Sequence, residues 1–246
     1  MYIEQIHLPI QLFVRNCRFT HNYAIADGSG VRINDAHVRF SHCSIDHNRG
    51  GAPNGGNGSA FYFNNGEIFL RDCQFTNNIA VTGAGAGLLI SIATLWMGDC
   101  LVANNQSIGS PGGSGSGMLL FSSWADIEGC QFNFNEGKTG GGAYFDGSHF
   151  QVRNCSFMGN VTTLTTTNYG GGGLEVKNCN GYPRQNRLAN CKFVGNHSGA
   201  QGGGLYSQFS SMEVRDVLFS GNTSGLDGGG MSIINGTSDS NFVYNC

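Results

Sequence analysis

A solenoid of parallel β-strands, about eight rungs with three short strands each, is the fold class this 246-residue chain predicts, and three columns of residues predict it. Cysteine recurs at Cys17, Cys43, Cys73, Cys100, Cys130, Cys155 and Cys191, with Val217 in the eighth place and Cys246 in the ninth, 25 to 36 residues apart and about 29 on average. Five residues after each of the first eight stands an asparagine: Asn22, Asn48, Asn78, Asn105, Asn135, Asn160, Asn196 and Asn222. Glycine runs such as 83–87, 140–142 and 170–173 fall at a fixed phase between these columns. Self-similarity at this period marks a unit that cannot bury its own apolar face and must stack on its neighbours.

The first strand of each unit leads into the cysteine position. Three residues before it stand apolar side chains, among them Val14, Phe40, Leu70, Ile127 and Val152. Immediately before it come turn formers such as Asn16, Asp72, Asp99, Asn154 and Asn190, which break the strand with a corner. The second strand follows, with Phe19, Ile45, Phe75, Val102, Phe132, Phe157, Phe193 and Phe219 two residues past the ladder position. Apolar residues at alternate positions, interrupted by polar corners, describe half-buried strands and not helices of period 3.6. The third strand comes after the glycines: Val31-Arg32-Ile33, Leu88-Leu89-Ile90, Ala143-Tyr144-Phe145 and their equivalents alternate in the same sense. Forty glycines would otherwise suggest disorder, but their fixed phase points to corners that need positive φ or close backbone approach. Stacked in parallel, such units form a parallel β-helix, and one solenoid counts as one domain over residues 1–246.

Phe19-Thr-His-Asn22, Phe75-Thr-Asn-Asn78, Phe157-Met-Gly-Asn160, Phe193-Val-Gly-Asn196 and Phe219-Ser-Gly-Asn222, with Gly141-Gly-Ala-Tyr144, resemble the paired F-x-x-N and G-G-A-[ILVY] repeats of chlamydial polymorphic outer membrane proteins. More broadly the chain is similar to right-handed parallel β-helix surface proteins. The resemblance spans essentially the whole chain and implies an extracellular or cell-surface passenger or stalk. Its repeat is architectural, and the sequence carries no membrane-barrel region.

A net charge of −3 with only 12% charged residues and no basic stripe leaves no electrostatic footprint for nucleic acid. No apolar run approaches the ~18 residues of a transmembrane segment, and residues 1–16 alternate as a strand in place of a signal peptide. Beginning mid-unit and stopping on a ladder cysteine, the chain reads as a segment of a longer polypeptide, a processed form or a filament subunit. A β-helix without caps exposes unpaired strand edges, which invites end-to-end stacking.

Stacked parallel strands lie about 4.8 Å apart, longer than the ~3.8 Å between the Cβ atoms of a disulfide, so the ladder is expected to be a buried column of free thiols. Cys179 stands off the ladder, in an insertion, and is expected to be either exposed or paired with a nearby ladder cysteine. The asparagines are expected to form a buried amide ladder, one per rung. Asn105, Asn160, Asn196 and Asn222 also open N-x-[ST] sequons, but they share a column with four asparagines that do not. The off-ladder sequons at Asn57, Asn154 and Asn235 are the candidate glycosylation sites, Asn57 and Asn235 by virtue of lying in loops.

Function is then sought on outward positions. Phe61, Leu89, Leu119 and Tyr144 are expected to form an apolar stripe on four consecutive rungs, with Phe69 and Trp96 on another face, a candidate contact surface for self-association or other surface subunits unless loops fold over it. Outward Phe69, Trp96, Tyr144 and Tyr206 would also suit glycans. A rival reading is a polysaccharide lyase or glycosidase, which needs paired carboxylates and often an arginine on adjacent rungs. Asp72, Asp99, Asp126 and Glu128 beside Arg71 are the nearest set, with oxygen ligands suited to calcium; the competing reading is that aspartate is a good corner residue. The expectation is a non-catalytic structural protein, a stalk, adhesin or filament subunit, with no cofactor.

Overall fold

The computed structural model describes residues 1–4, 11–51, 57, 59–109, 113–180, 185–236 and 240–246. They form a β-solenoid of about eight turns, with no helix among them. One 15-stranded sheet and two 8-stranded sheets run along it, the three sides of each coil. Pairing is parallel and in register, so that Phe19 meets Ile45 and Ile45 meets Phe75 on successive rungs.

The corners explain the residue types before each cysteine. Asn16, His42, Asp72, Asp99, Asn154, Asn190, Asp216 and Asn245 all sit near φ +54°, within the range 52° to 55°, the left-handed region that Asn and Asp tolerate best. A second left-handed bend divides the large sheet lengthwise, at Asp35, Asn65, Ile92, Ser122, Gly147, Asn178 and Phe209. On early rungs the strand runs through it, as in Val31–Ser41 and Leu88–Gly98; later rungs break into pairs such as Met118–Phe121 and Trp124–Glu128. The glycine runs serve both proposed uses. Gly140 has φ +53°, and a Cβ there would lie 2.7 Å from that of Tyr144. At Gly117 a Cβ would lie 2.2 Å from the Gly142 carbonyl of the next rung.

One continuous core fills the coil, from Val14 to Val217. Phe132, Phe157, Phe193 and Phe219 stack face to face at 4.8, 4.6 and 5.1 Å between centroids. In the asparagine column each amide from Asn48 to Asn196 is used in full, whereas the end members depart from the expected buried ladder: Asn22 is exposed and Asn222 half-buried. Asn48, for example, donates Nδ2–H to Asn78 Oδ1 (3.1 Å) and to the Phe19 carbonyl (2.9 Å), while its Oδ1 accepts from the backbone and amide of Asn22 (3.0 and 2.9 Å). The cysteines are all free. Cys73, Cys100 and Cys130 each donate a backbone N–H to the next rung's sulfur at 3.4 to 3.5 Å, and each thiol donates to the carbonyl two residues back. Neighbouring thiol Cys155 and burial together hold Cys191 well above the ordinary thiol range.

Two expectations about cysteines are corrected. Cys17 and Cys246, the first and ninth members of the ladder, are exposed. Cys179 is neither exposed nor paired: it is buried in a second ladder at the mid-sheet bend, where Ser148 N–H donates to its sulfur (3.4 Å) and its own N–H donates to Ser210 Oγ (3.0 Å). Burial pushes this thiol up to about 12. A maleimide added to the native protein is therefore expected to modify Cys17 and Cys246 promptly and the other seven only after denaturation, because those seven are buried out of the reagent's reach. Prompt modification of Cys130 would contradict the buried column.

Candidate functional site

A groove of about 960 Å³ runs along one half of the large sheet. Strand register builds it. Phe13, Arg39, Phe69, Trp96 and Asp126 align on successive rungs, and beside them run Arg15, Ser41, Arg71, Gly98, Glu128 and Arg153. Outward residues two apart on one strand share a face, so each rung contributes one residue to each column.

The aromatic column is an internal stack. Arg39 Cζ sits 4.4 Å over Phe69, Phe69 lies 4.3 Å from Trp96 with rings 5° from parallel, and Trp96 meets Trp124 edge to face at 5.7 Å. The ring faces are thus taken by one another, and a ligand in the groove meets mostly edges. Phe13, by contrast, is 66% exposed. Neither Arg39 nor Arg15 has a carboxylate partner among the described residues, so this end of the groove is cationic and apolar.

At the other end each carboxylate has an arginine. Arg153 Nη2 lies 2.8 Å from Asp126 Oδ1 and 3.4 Å from Glu128 Oε2. Arg71 lies 3.7 Å from Asp72 and 3.9 Å from Asp99 through exposed side chains, contacts that add little stability. Asp72 and Asp99 occupy left-handed corners, the local role that favours aspartate there. Among the described residues no three His, Cys, Asp or Glu side chains converge as a metal site.

The stripe expected along the third strand of each unit is altered. Phe61 is wholly buried: it aligns with inward Val31, and Tyr62 takes the outward place opposite Arg32. Both candidates in that phase are aromatic, and the glycine run before them is degenerate, which is why the sequence misplaces it by one residue. Leu89 does point outward but is only 4% exposed, while Leu119 and Tyr144 are half-buried. Further along the column Glu175 and Tyr206 are fully buried. Over them passes the segment Thr163–Tyr169: Lys177 Nζ donates to the Asn168 carbonyl (2.6 Å), and lies 4.0 Å from the Tyr169 ring and 5.8 Å from that of Tyr206. Lys177 Nζ is also 3.0 Å from Glu175 Oε1, but off the line of a hydrogen bond.

A polar cluster that the repeat pattern does not mark lies on the second sheet. Asp46, its side chain 4% exposed, accepts from Arg18 Nε (2.9 Å) and Nη2 (3.0 Å), Thr20 Oγ1 (2.6 Å), Ser44 Oγ (2.6 Å) and His47 Nδ1 (3.0 Å). The Arg18 guanidinium, helped by the hydroxyls and His47, holds this carboxyl well below the usual range. Thr20 and Asp46 are register partners on adjacent rungs, the one signal the sequence offers once the ladder is aligned.

Of the candidate glycosylation sites, Asn154 and Asn235 are exposed and Asn57 is half-buried; Asn154 Nδ2 donates to Glu128 Oε1 (3.3 Å). Ladder sequon residues Asn105, Asn160 and Asn196 are fully buried. Among the described residues no helix is long and apolar enough to cross a membrane. No protein-family model matches the chain, and no curated protein or solved structure matches it.

Proposed function

We propose that this chain is a non-catalytic structural protein, an extracellular or cell-surface stalk, adhesin or filament subunit, in keeping with the resemblance of its repeats to those of chlamydial polymorphic outer membrane proteins. One observation carries the reading: the groove's functional-looking side chains are spent on each other. Arg153 engages both Asp126 and Glu128, so this carboxylate pair does not stand free to act as acid and base. The faces of Phe69 and Trp96 are closed by stacking, which weighs against a platform for sugar rings. What remains in the groove without a carboxylate partner among the described residues is Arg15 and Arg39, beside exposed Phe13, a surface suited to contact with another protein or a second copy.

Eight rungs at ~4.8 Å each make a rod roughly 40 Å long. Electron microscopy of the native material is expected to show fibres or a fibrous layer. Finding only soluble monomers that release reducing ends from polysaccharides would overturn the structural reading in favour of the enzyme.

A further inference from the structure

We infer that His21 and His47 form a two-histidine binding site for a divalent transition-metal ion such as Zn²⁺ or Cu²⁺. The two rings stack on adjacent rungs, 5.0 Å between centroids and 6° from parallel, and both are exposed. Their backbones are held alike, at φ 57° and 54°, in the corner just before the asparagine ladder.

The protonation of both rings follows from the Asp46 cluster. Both Asp46 oxygens accept from Arg18, at 2.9 and 3.0 Å, and Oδ2 accepts from Ser44 Oγ as well, so toward its remaining neighbours this arginine-bound carboxylate is an acceptor. Thr20 Oγ1 has one hydrogen, and the 2.6 Å contact to Asp46 Oδ1 uses it. The same oxygen lies 2.8 Å from His21 Nδ1, so it must accept there, and His21 carries its proton on Nδ1. His47 Nδ1, 3.0 Å from Asp46 Oδ1, must likewise donate. In both neutral rings the lone pair is therefore on Nε2, and neither Nε2 has a partner among the described residues. His47 Nδ1 is anchored on the buried carboxylate directly and His21 Nδ1 through the Thr20 hydroxyl, which leaves Nε2 of both exposed rings as the edge away from the anchor. A carboxylate behind a histidine, fixing its tautomer and raising its basicity, is the outer-shell arrangement of metal-binding imidazoles.

Imidazole pairs select zinc, copper or nickel, whereas calcium and magnesium demand oxygen ligands. With Zn–N bonds of 2.0–2.1 Å at a tetrahedral angle, the two nitrogens must lie about 3.4 Å apart, so the rings must tilt out of parallel and bring their outer edges together by roughly 1.5 Å. Exposed side chains do this by χ rotation without moving the corner. Asn77 follows on the next rung, so the protein supplies two nitrogens and water completes the coordination.

The test is titration of the purified chain with ZnCl₂ by calorimetry, its exposed thiols Cys17 and Cys246 first blocked with N-ethylmaleimide. One saturable site is expected, with zinc-dependent shifts of the Nε2 resonances of both histidines. His21→Asn and His47→Asn, which keep a residue suited to the left-handed corner as Asn77 is, should each weaken binding at least ~10-fold, and Asp46→Asn by about 10- to 100-fold. Unchanged affinity in both histidine variants with unaltered circular dichroism, or no saturable binding by the parent chain, would overturn the site.

Discussion

Replacing Asn135 by alanine is expected to destabilise the solenoid by roughly 2–6 kcal/mol, because it strands buried hydrogen-bonding groups. Asn135 is fully buried. Its Oδ1 accepts the backbone N–H and the Nδ2–H of Asn105, both at 3.0 Å, and its Nδ2 donates to the Val102 carbonyl and to Asn160 Oδ1, also at 3.0 Å. Alanine leaves two donors of Asn105, its backbone N–H and one Nδ2–H, without partners in a place no water reaches, and each orphan costs about 1–3 kcal/mol. Asn135→Asp keeps the acceptor but cannot donate, and sets a charge against Asn160 Oδ1, so it should be no milder. The control is position in the column. Asn22 is exposed on the first rung and makes one side-chain bond, to Asn48 Oδ1 at 2.9 Å, so Asn22→Ala should cost no more than about 1 kcal/mol. Urea midpoints for the two variants measure the contrast. Equal losses would show that the amides are not a cooperative spine.

What the sequence made legible is what every rung must do. Inward positions face the same neighbour above and below, so Cys73, Cys100 and Cys130, or Phe157 and Phe193, repeat because each packs on its own kind. The mid-sheet bend is structurally as regular, yet its residues are Asp35, Asn65, Ile92, Ser122, Gly147, Asn178 and Phe209. A left-handed backbone held by the stacked coil overrides residue preference there, and Ile92 and Phe209 accept it with side chains 57% and 46% exposed. Cys179 looked like a stray for the same reason: its ladder mates are Ser148 and Ser210, small acceptors of another type. The Asp46 cluster was invisible because it links outward residues on neighbouring rungs, Arg18 and Thr20 on one and Ser44, Asp46 and His47 on the next, that share no motif with other rungs. Phe69, Trp96, Arg71, Asp99, Asp126 and Glu128 all line the groove, but how they engage one another depends on side-chain reach across rungs, which spacing does not reveal.

The burial of Glu175 makes stability depend on pH in an unusual direction. It sits in the outward column, where its register partners are Tyr144 and Tyr206, but the Thr163–Tyr169 segment closes over it and it is fully buried. Loss of water raises its pKa to about 7, opposed by Lys177 through charge and by Thr139 and the backbone at Gly170. The unfolded chain releases this proton near the ordinary glutamate value of about 4.3. Between those two values the folded state binds more protons than the unfolded state, so this residue's contribution is fully present below the lower value and is lost as pH rises through about 7. Glu175→Gln removes the titration while keeping the shape, and Lys177 retains the Asn168 carbonyl and the Tyr169 ring. The variant should therefore match the parent near pH 4 and exceed it progressively at higher pH, by about 3 kcal/mol at pH 8. Subtracting urea midpoints of parent and variant at pH 4, 6 and 8 cancels the other titrating groups. A difference that shrinks or reverses as pH rises would mean that Lys177 keeps Glu175 ionised in the folded state, and that the segment above it covers an ion pair and not a protonated acid.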